Sequence, residues 1–305
     1  MLEDPLDIGF LTTGLLTGLR EGVEAALIVS IILAYLAKTG NQRHFNRIWA
    51  GSGAAVGLSV VAGILLFVTI HGLEGRAEQI FEAVATLLAA SVVTWMLFWM
   101  RRTAANIKGE LQAGVDRALT EGGIWGLAIL AFTAVIREGL ETSLFLLGQV
   151  TAAGEADTGA ASTLLGAVIG IGIAIVLGYG FYRGARVLNL QSFFRWTGIG
   201  LIFIAAGLVG YAVHEFVEAG VITMGTAHAF DISGFLPHGG DLAERGPIVI
   251  VGQLLRALFG YSSTPEWATL MTWFAYLVVV LGLYLRPVKP QQHQPVTGSQ
   301  PATGA

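Results

Sequence analysis

Two short stretches of this chain carry the same ionisable pattern. Arg20-Glu21-Gly22-Val23-Glu24 and Arg137-Glu138-Gly139-Leu140-Glu141 both read Arg-Glu-Gly-aliphatic-Glu, 117 residues apart. On a helix, the Arg and the second Glu of each stretch stand one turn apart on one face, and the two Glu are near neighbours. Each stretch is therefore a carboxylate pair with its own guanidinium. Carboxylates converging from two helices make an oxygen-rich donor set, which suits hard cations. The chain has no cysteine, so no thiolate competes with that reading. The opposing reading is a pair of structural ion pairs that tie a bundle together. Repetition favours binding: one ionised group at membrane depth costs at least about 2.5–3.5 kcal/mol and is functional by default.

The elements that must position these motifs follow from composition. Of 305 residues, 54% are hydrophobic and only 12% charged, about half the charged share of a soluble chain. Disorder is excluded by the same numbers. A formal net charge of −4 gives no support for nucleic-acid binding. The expected fold class is an all-α polytopic membrane protein. Long apolar runs without strict alternation exclude a transmembrane β-barrel. Seven segments approach the roughly 20 apolar residues that a span requires: about 9–37, 51–71, 80–100, 123–148, 161–182, 197–218 and 267–285. The start of the chain carries Glu3, Asp4 and Asp7 and no base. That is unlike a secretory signal, so the first apolar stretch is read as a retained helix.

The 117-residue offset that superposes the motifs also lays span 2 near span 5 and span 3 near span 6. The chain reads as two three-span repeats, about 9–100 and 123–218, plus a seventh helix. Three is odd, so the second repeat enters the membrane upside down. Inverted repeats are a transporter signature, with the site near the midplane where they meet. Both motifs lie midway along their spans. The whole of 1–286 is read as one permease domain. Residues 219–266 form a long outer loop, in which Pro247–Phe259 reads as a short helix at the interface. The Pro- and Gln-rich tail 287–305 reads as disordered.

Lys and Arg set the orientation. Lys38, Arg43, Arg47, Arg101, Arg102, Lys108, Arg117, Arg183, Arg186, Arg195, Arg286 and Lys289 fall on one side, against Arg76, Arg245 and Arg256 on the other. The N-terminus is therefore expected outside and the C-terminus in the cytoplasm, in the cell membrane. Trp49, Trp95, Trp99, Trp125 and Trp196 fall at the expected inner interface, as an aromatic belt. Acids gather on the outer side and would concentrate cations there. Among them, Glu78 and Glu82 at the start of span 3, and His214, Glu215 and Glu218 at the end of span 6, are candidate intake or relay groups. Helix ends rich in acids are also ordinary surface features. The outer loop adds His228, Asp231, His238, Asp241 and Glu244 as a weaker metal-capture candidate. Gly166 and Gly170 form a G-x-x-x-G pair, read as helix packing.

Two Arg-Glu-Gly-x-Glu motifs in spans 1 and 4 of a seven-span chain resemble the oxidase-dependent iron permease family. That family covers fungal high-affinity iron permeases and bacterial EfeU-type permeases. The resemblance extends over about residues 8–286. It implies a transporter, with Glu21, Glu24, Glu138 and Glu141 as metal ligands and Arg20 and Arg137 as their partners. It also implies iron, by the family's habit ferric, as the transported ion, with no permanently bound cofactor. The family's working partner is an extracytoplasmic protein that oxidises or delivers iron. Two alternatives remain: the same fold carrying another cation such as lead or manganese, and a membrane di-iron enzyme. The enzyme is disfavoured because helical di-iron sites use Glu-x-x-His, and no His here stands three residues after a Glu.

Overall fold

The computed structural model describes residues 7–70, 75–103, 107–122, 125–153, 157–184, 190–237 and 248–286. Nine α-helices are described: α1 (Ile8–Lys38), α2 (Phe45–Ile70), α3 (Arg76–Thr103), α4 (Ile107–Thr120), α5 (Gly126–Ala152), α6 (Asp157–Tyr182), α7 (Leu190–Glu218), α8 (Ile248–Phe259) and α9 (Trp267–Leu285). Five of them, α2, α3, α6, α7 and α9, are long and apolar enough to cross a membrane. The motif helices α1 and α5 have 31 and 27 residues. They are as long as the others, and each holds the three motif charges near its middle.

Small residues decide how the helices pair. Along α1, Gly14 and Gly18 leave no room for a side chain against the backbone of Thr163 and Ala167 of α6. In the other direction, Gly166 and Gly170 of α6 receive the carbonyls of Leu11 and Leu15. The G-x-x-x-G pair is thus packing, as expected. Contacts advance together along the two chains, so α1 and α6 run parallel. Farther along, Ser30 Oγ donates to the Gly178 carbonyl at 2.8 Å. α2 and α5 form the second parallel pair: Gly51 lies on the Ala128 backbone, and Ser143 Oγ donates to the Ser59 carbonyl at 3.0 Å. Between the pairs, α1 and α5 cross antiparallel.

The motif glycines belong to this scheme. Gly22 faces Ala174 and Ile171 of α6, and Gly139 faces Ser59 of α2. Each motif therefore turns its glycine to a tight neighbour and its carboxylates to the opposite side. α3 and α7 pack antiparallel through Val93, Met96, Leu97, Leu201, Ile202 and Ala205, and α9 closes that cluster with Leu277, Val280 and Tyr284. On α2 and α6, Val61, Leu65, Val168 and Val176 remain exposed, a surface suited to lipid.

Three features go beyond the sequence expectation. Residues 107–120, read as loop, form the amphipathic helix α4. Its Leu111, Val115 and Leu119 pack under Ile32, Leu36 and Leu127, and Tyr35 donates to Asp116 at 2.8 Å. Fourteen residues is too short for a span signal. Second, the end of α8 packs on the bundle. Its Phe259 ring packs 5.0 Å from Phe203, and Gly260 abuts Gly207, both in the body of α7. The positive φ of Gly260 (67°) and its close approach to Gly207 explain why both are glycines. Third, Trp99 has a partner inside the protein: the Arg137 guanidinium sits over its ring at 4.0 Å. Trp49, Trp95, Trp125 and Trp196 are exposed. The tail 287–305 lies outside the described residues.

Replacing Gly18 by Leu should separate α1 from α6 and cost at least the roughly 1–3 kcal/mol typical of overpacking. Gly53, with open space around it, is the control. Thermal unfolding in detergent should show a large loss for Gly18→Leu and little for Gly53→Leu; equal losses would contradict the pairing.

Candidate metal centre

The antiparallel crossing of α1 and α5 brings the two motifs face to face. Glu21, Glu138 and Glu141 each offer a carboxylate oxygen within 4.8 Å of the others. All three are buried. Arg20 is 1% exposed and bridges its own motif, at 2.5 Å to Glu21 and 3.1 Å to Glu24. Its Nη1 also points at Met96 Sδ of α3, 3.1 Å away. Arg137 binds Glu138 at 2.7 Å and approaches Glu141 at 3.6 Å. Unlike Arg20, it is partly open, with a side chain 38% exposed.

The ion pairs leave the acids only half satisfied. Glu21 Oε2, Glu24 Oε2, Glu138 Oε2 and Glu141 Oε2 are buried without a hydrogen-bond partner among the described residues. Buried unpaired carboxylate oxygens are costly. A cation placed among them would remove that cost. Glu24 is buried but stands outside the three-carboxylate cluster, tied to Arg20. Of the four sequence-predicted ligands, the structure gathers three and sets the fourth beside them.

A second cluster lies at the expected outer end of the bundle. A cavity of about 690 Å³ opens there, lined by Glu78, Glu82, His214, Glu215 and Glu218. All five sequence candidates thus share one vestibule. His214, Glu215 and Glu218 also offer ligand atoms within 4.8 Å of one another. His214 Nε2 lies 3.4 Å from Glu218, and Gln79 donates to Glu218 at 3.2 Å. Tyr211 donates to Glu82 at 3.1 Å.

The sequence reading missed Glu266, Tyr211, Thr17 and Gln149. Glu266 reaches the vestibule because the loop folds back: Trp267 N–H donates to the Ala227 carbonyl and Ala229 N–H to the Pro265 carbonyl. His214 Nδ1 then lies 2.9 Å from Glu266, and Thr269 Oγ1 donates to it at 3.0 Å. Burial opposes ionisation of Glu266, but bonds from its own backbone N–H, His214 and Thr269 outweigh it and hold its carboxyl below the ordinary range. No local pattern marks that return. Thr17 and Gln149 were more legible. They stand one and two turns from Glu21 and Glu141 on the motif faces, and Gln149 donates to Thr17 at 2.7 Å. In the loop, His228 is held against the Thr264 carbonyl, and Asp231 accepts from Ser233. His238, Asp241 and Glu244 lie outside the described residues.

Comparison with known proteins gives a consistent picture. The model of the iron permease FTR1 family matches residues 12–286. The ferrous iron permease EfeU of Escherichia coli O157:H7 is 38% identical over 271 residues, covering 88% of this chain and 93% of the relative. The ferrous iron permease EfeU of Yersinia pestis is 34% identical over 270 residues, covering 88% and 91%. No solved structure matches the chain.

The two arginines should differ in structural weight. Removing one partner of a buried ion pair costs about 3–5 kcal/mol, and less where water can reach the survivor. Thermal unfolding should fall farther for Arg20→Gln than for Arg137→Gln; equal falls would contradict the difference in burial.

Proposed function

The chain belongs to the iron permease FTR1 family, whose members are transporters and not enzymes, and we propose that it carries iron inward through the Glu21/Glu138/Glu141 cluster. It is a multi-pass membrane protein of helices. The reading of seven spans rests on the five apolar helices together with α1 and α5, whose charges face each other and not lipid. The pairing supports the inverted repeat. A two-fold axis in the membrane plane that exchanges α1 with α5 and α2 with α6 also exchanges the two parallel pairs, and such an axis passes between the motifs.

The observation that carries the proposal is the set of four buried, unpartnered carboxylate oxygens around two arginines. Their donor type suits a hard cation. With all six motif groups ionised, the formal charge is −2, which one divalent ion neutralises. The resemblance implied ferric iron; this balance, and the ferrous iron named for the relatives, favour ferrous iron as the transported ion. Arg20 and Arg137 hold the acids while the site is empty and release oxygens as the ion arrives, so binding is an exchange of partners. Glu24 completes the set as the acid that keeps Arg20 neutralised when Glu21 turns to metal.

Iron is gathered at the acid-lined vestibule, where an extracytoplasmic delivering protein would hand it over. With the N-terminus outside, the ion descends along α1 and α5 to the cluster. An inside-negative potential drives it by about 2.3 kcal/mol per charge per 100 mV. Arg137, the partly exposed member, marks the side of the cluster from which the ion leaves.

Radioiron uptake into liposomes, run with reductant and separately with ferric citrate, tests this reading. Wild-type protein should take up iron with reductant, while Glu21→Ala and Glu138→Ala should insert normally and transport at background. Normal uptake by both variants would overturn the site, and uptake confined to the ferric arm would overturn the valence.

A further inference from the structure

Among the described residues lining the vestibule cavity, Gln149 is a buried polar group that neither site explains. Gln149 is 3% exposed, yet it lines the vestibule cavity. Its amide nitrogen donates to Thr17 Oγ1 at 2.7 Å, and Thr17 is itself fully buried. The amide oxygen, Gln149 Oε1, has no hydrogen-bond partner among the described residues. A buried amide oxygen left open is costly. Here the Thr17 bond fixes the amide plane, so that the open oxygen is a consequence of the geometry and not of a loose side chain.

Its place along the path is specific. Gln149 is eight residues from Glu141, about 12 Å along α5, and Thr17 is four residues, about 6 Å, from Glu21. On the other side, the neighbouring Gly148 packs against Leu208 of α7. That is seven residues, about 10 Å, below Glu215. The amide therefore lies roughly midway between the two clusters of charged ligands. Thr13, one turn above Thr17 on α1, lines the same cavity and spends its hydroxyl on the Gly9 carbonyl. Among the described residues that line the cavity, Gln149 Oε1 is the buried side-chain oxygen without a hydrogen-bond partner.

Resting on the permease reading above, we propose that Gln149, held by Thr17, is a relay ligand: its amide oxygen takes the descending cation between the vestibule and the buried carboxylates. A neutral oxygen suits that position. It replaces one water of the ion's shell without the charge that would trap the ion there. The group selects for hard, oxygen-seeking cations that exchange water readily, and it is a specificity-determining residue for transport and not part of the high-affinity cluster.

The test compares wild type, Gln149→Leu, Gln149→Glu and Glu21→Ala by radioiron uptake in liposomes, with equilibrium binding of ferrous iron to the same purified proteins. Gln149→Leu should lower kcat about tenfold, as loss of one ligand interaction does, while equilibrium binding stays within about twofold of wild type. Gln149→Glu removes the donor to Thr17 Oγ1, leaves a carboxylate to which the Thr17 hydroxyl can donate instead, and adds charge, so both KM and kcat should fall. Thr17→Val, which frees the amide without removing it, should lower kcat by about threefold and serves if Gln149→Leu does not insert. Wild-type kinetics in Gln149→Leu would overturn the relay. So would a parallel loss of binding and uptake, which marks a structural strut, or unchanged kinetics in Gln149→Glu. If wild type itself moves no iron, the permease reading fails; if wild type transports, Glu21→Ala does not and Gln149→Leu does, only the relay fails.

Discussion

The burial of Arg20 between Glu21 and Glu24 is the constraint on which the rest of the structure depends. An ionised side chain with 1% exposure in the middle of an apolar helix survives only if its charge is met at once. Its own motif supplies two carboxylates, one more than the charge requires. The second motif repeats the excess. The bundle must then bring the two surpluses together and keep lipid away from them. α6 and α2 do this by packing tightly on the glycine side of α1 and α5, which leaves only the crossing for the acids. The glycine in each motif and the small residues along α6 and α2 are consequences of that demand.

Much of this was legible from residues alone. Apolar length located the span helices, and the spacing within Arg-Glu-Gly-x-Glu placed three charges on one side of a helix. The offset between the motifs led to the expectation of two opposed units; the structure shows that α1 and α5 cross antiparallel with the motifs face to face. The five outer candidates, from Glu78 to Glu218, fell into a single cavity because helix ends on one side of a membrane are constrained to one layer. What was not legible depended on tertiary return. Glu266 joins His214 only because residues 225–229 pair with 263–268. α8 enters the bundle because Gly207 and Gly260 permit contact, which neither glycine announces by itself. Glu24 follows its motif in sequence but stays with Arg20 in space, since one guanidinium must remain satisfied.

The two clusters are chemically unlike, and that difference would give the proposed path a direction. The outer group mixes an imidazole with partly exposed carboxylates, where water screens charge and holds an ion weakly. The inner group is three buried carboxylates short of partners, where the proposed ion would be held by several oxygens. Between them the cavity is lined by the neutral amide of Gln149. On the proposed path, a cation would pass from screened charge, through a dipole, to buried charge. At the inner cluster the arginines already hold carboxylate oxygens, so on the proposed path they would compete with the ion and keep the site from becoming a trap.

The central claim is that both motifs close on one ion. Ferrous-iron affinity of wild type, Glu21→Gln, Glu138→Gln and the double variant measures it as a mutant cycle. One shared ion requires strong coupling, with the double variant losing little more affinity than either single variant. Losses that add to within about 0.5 kcal/mol, the behaviour of independent sites, would contradict it.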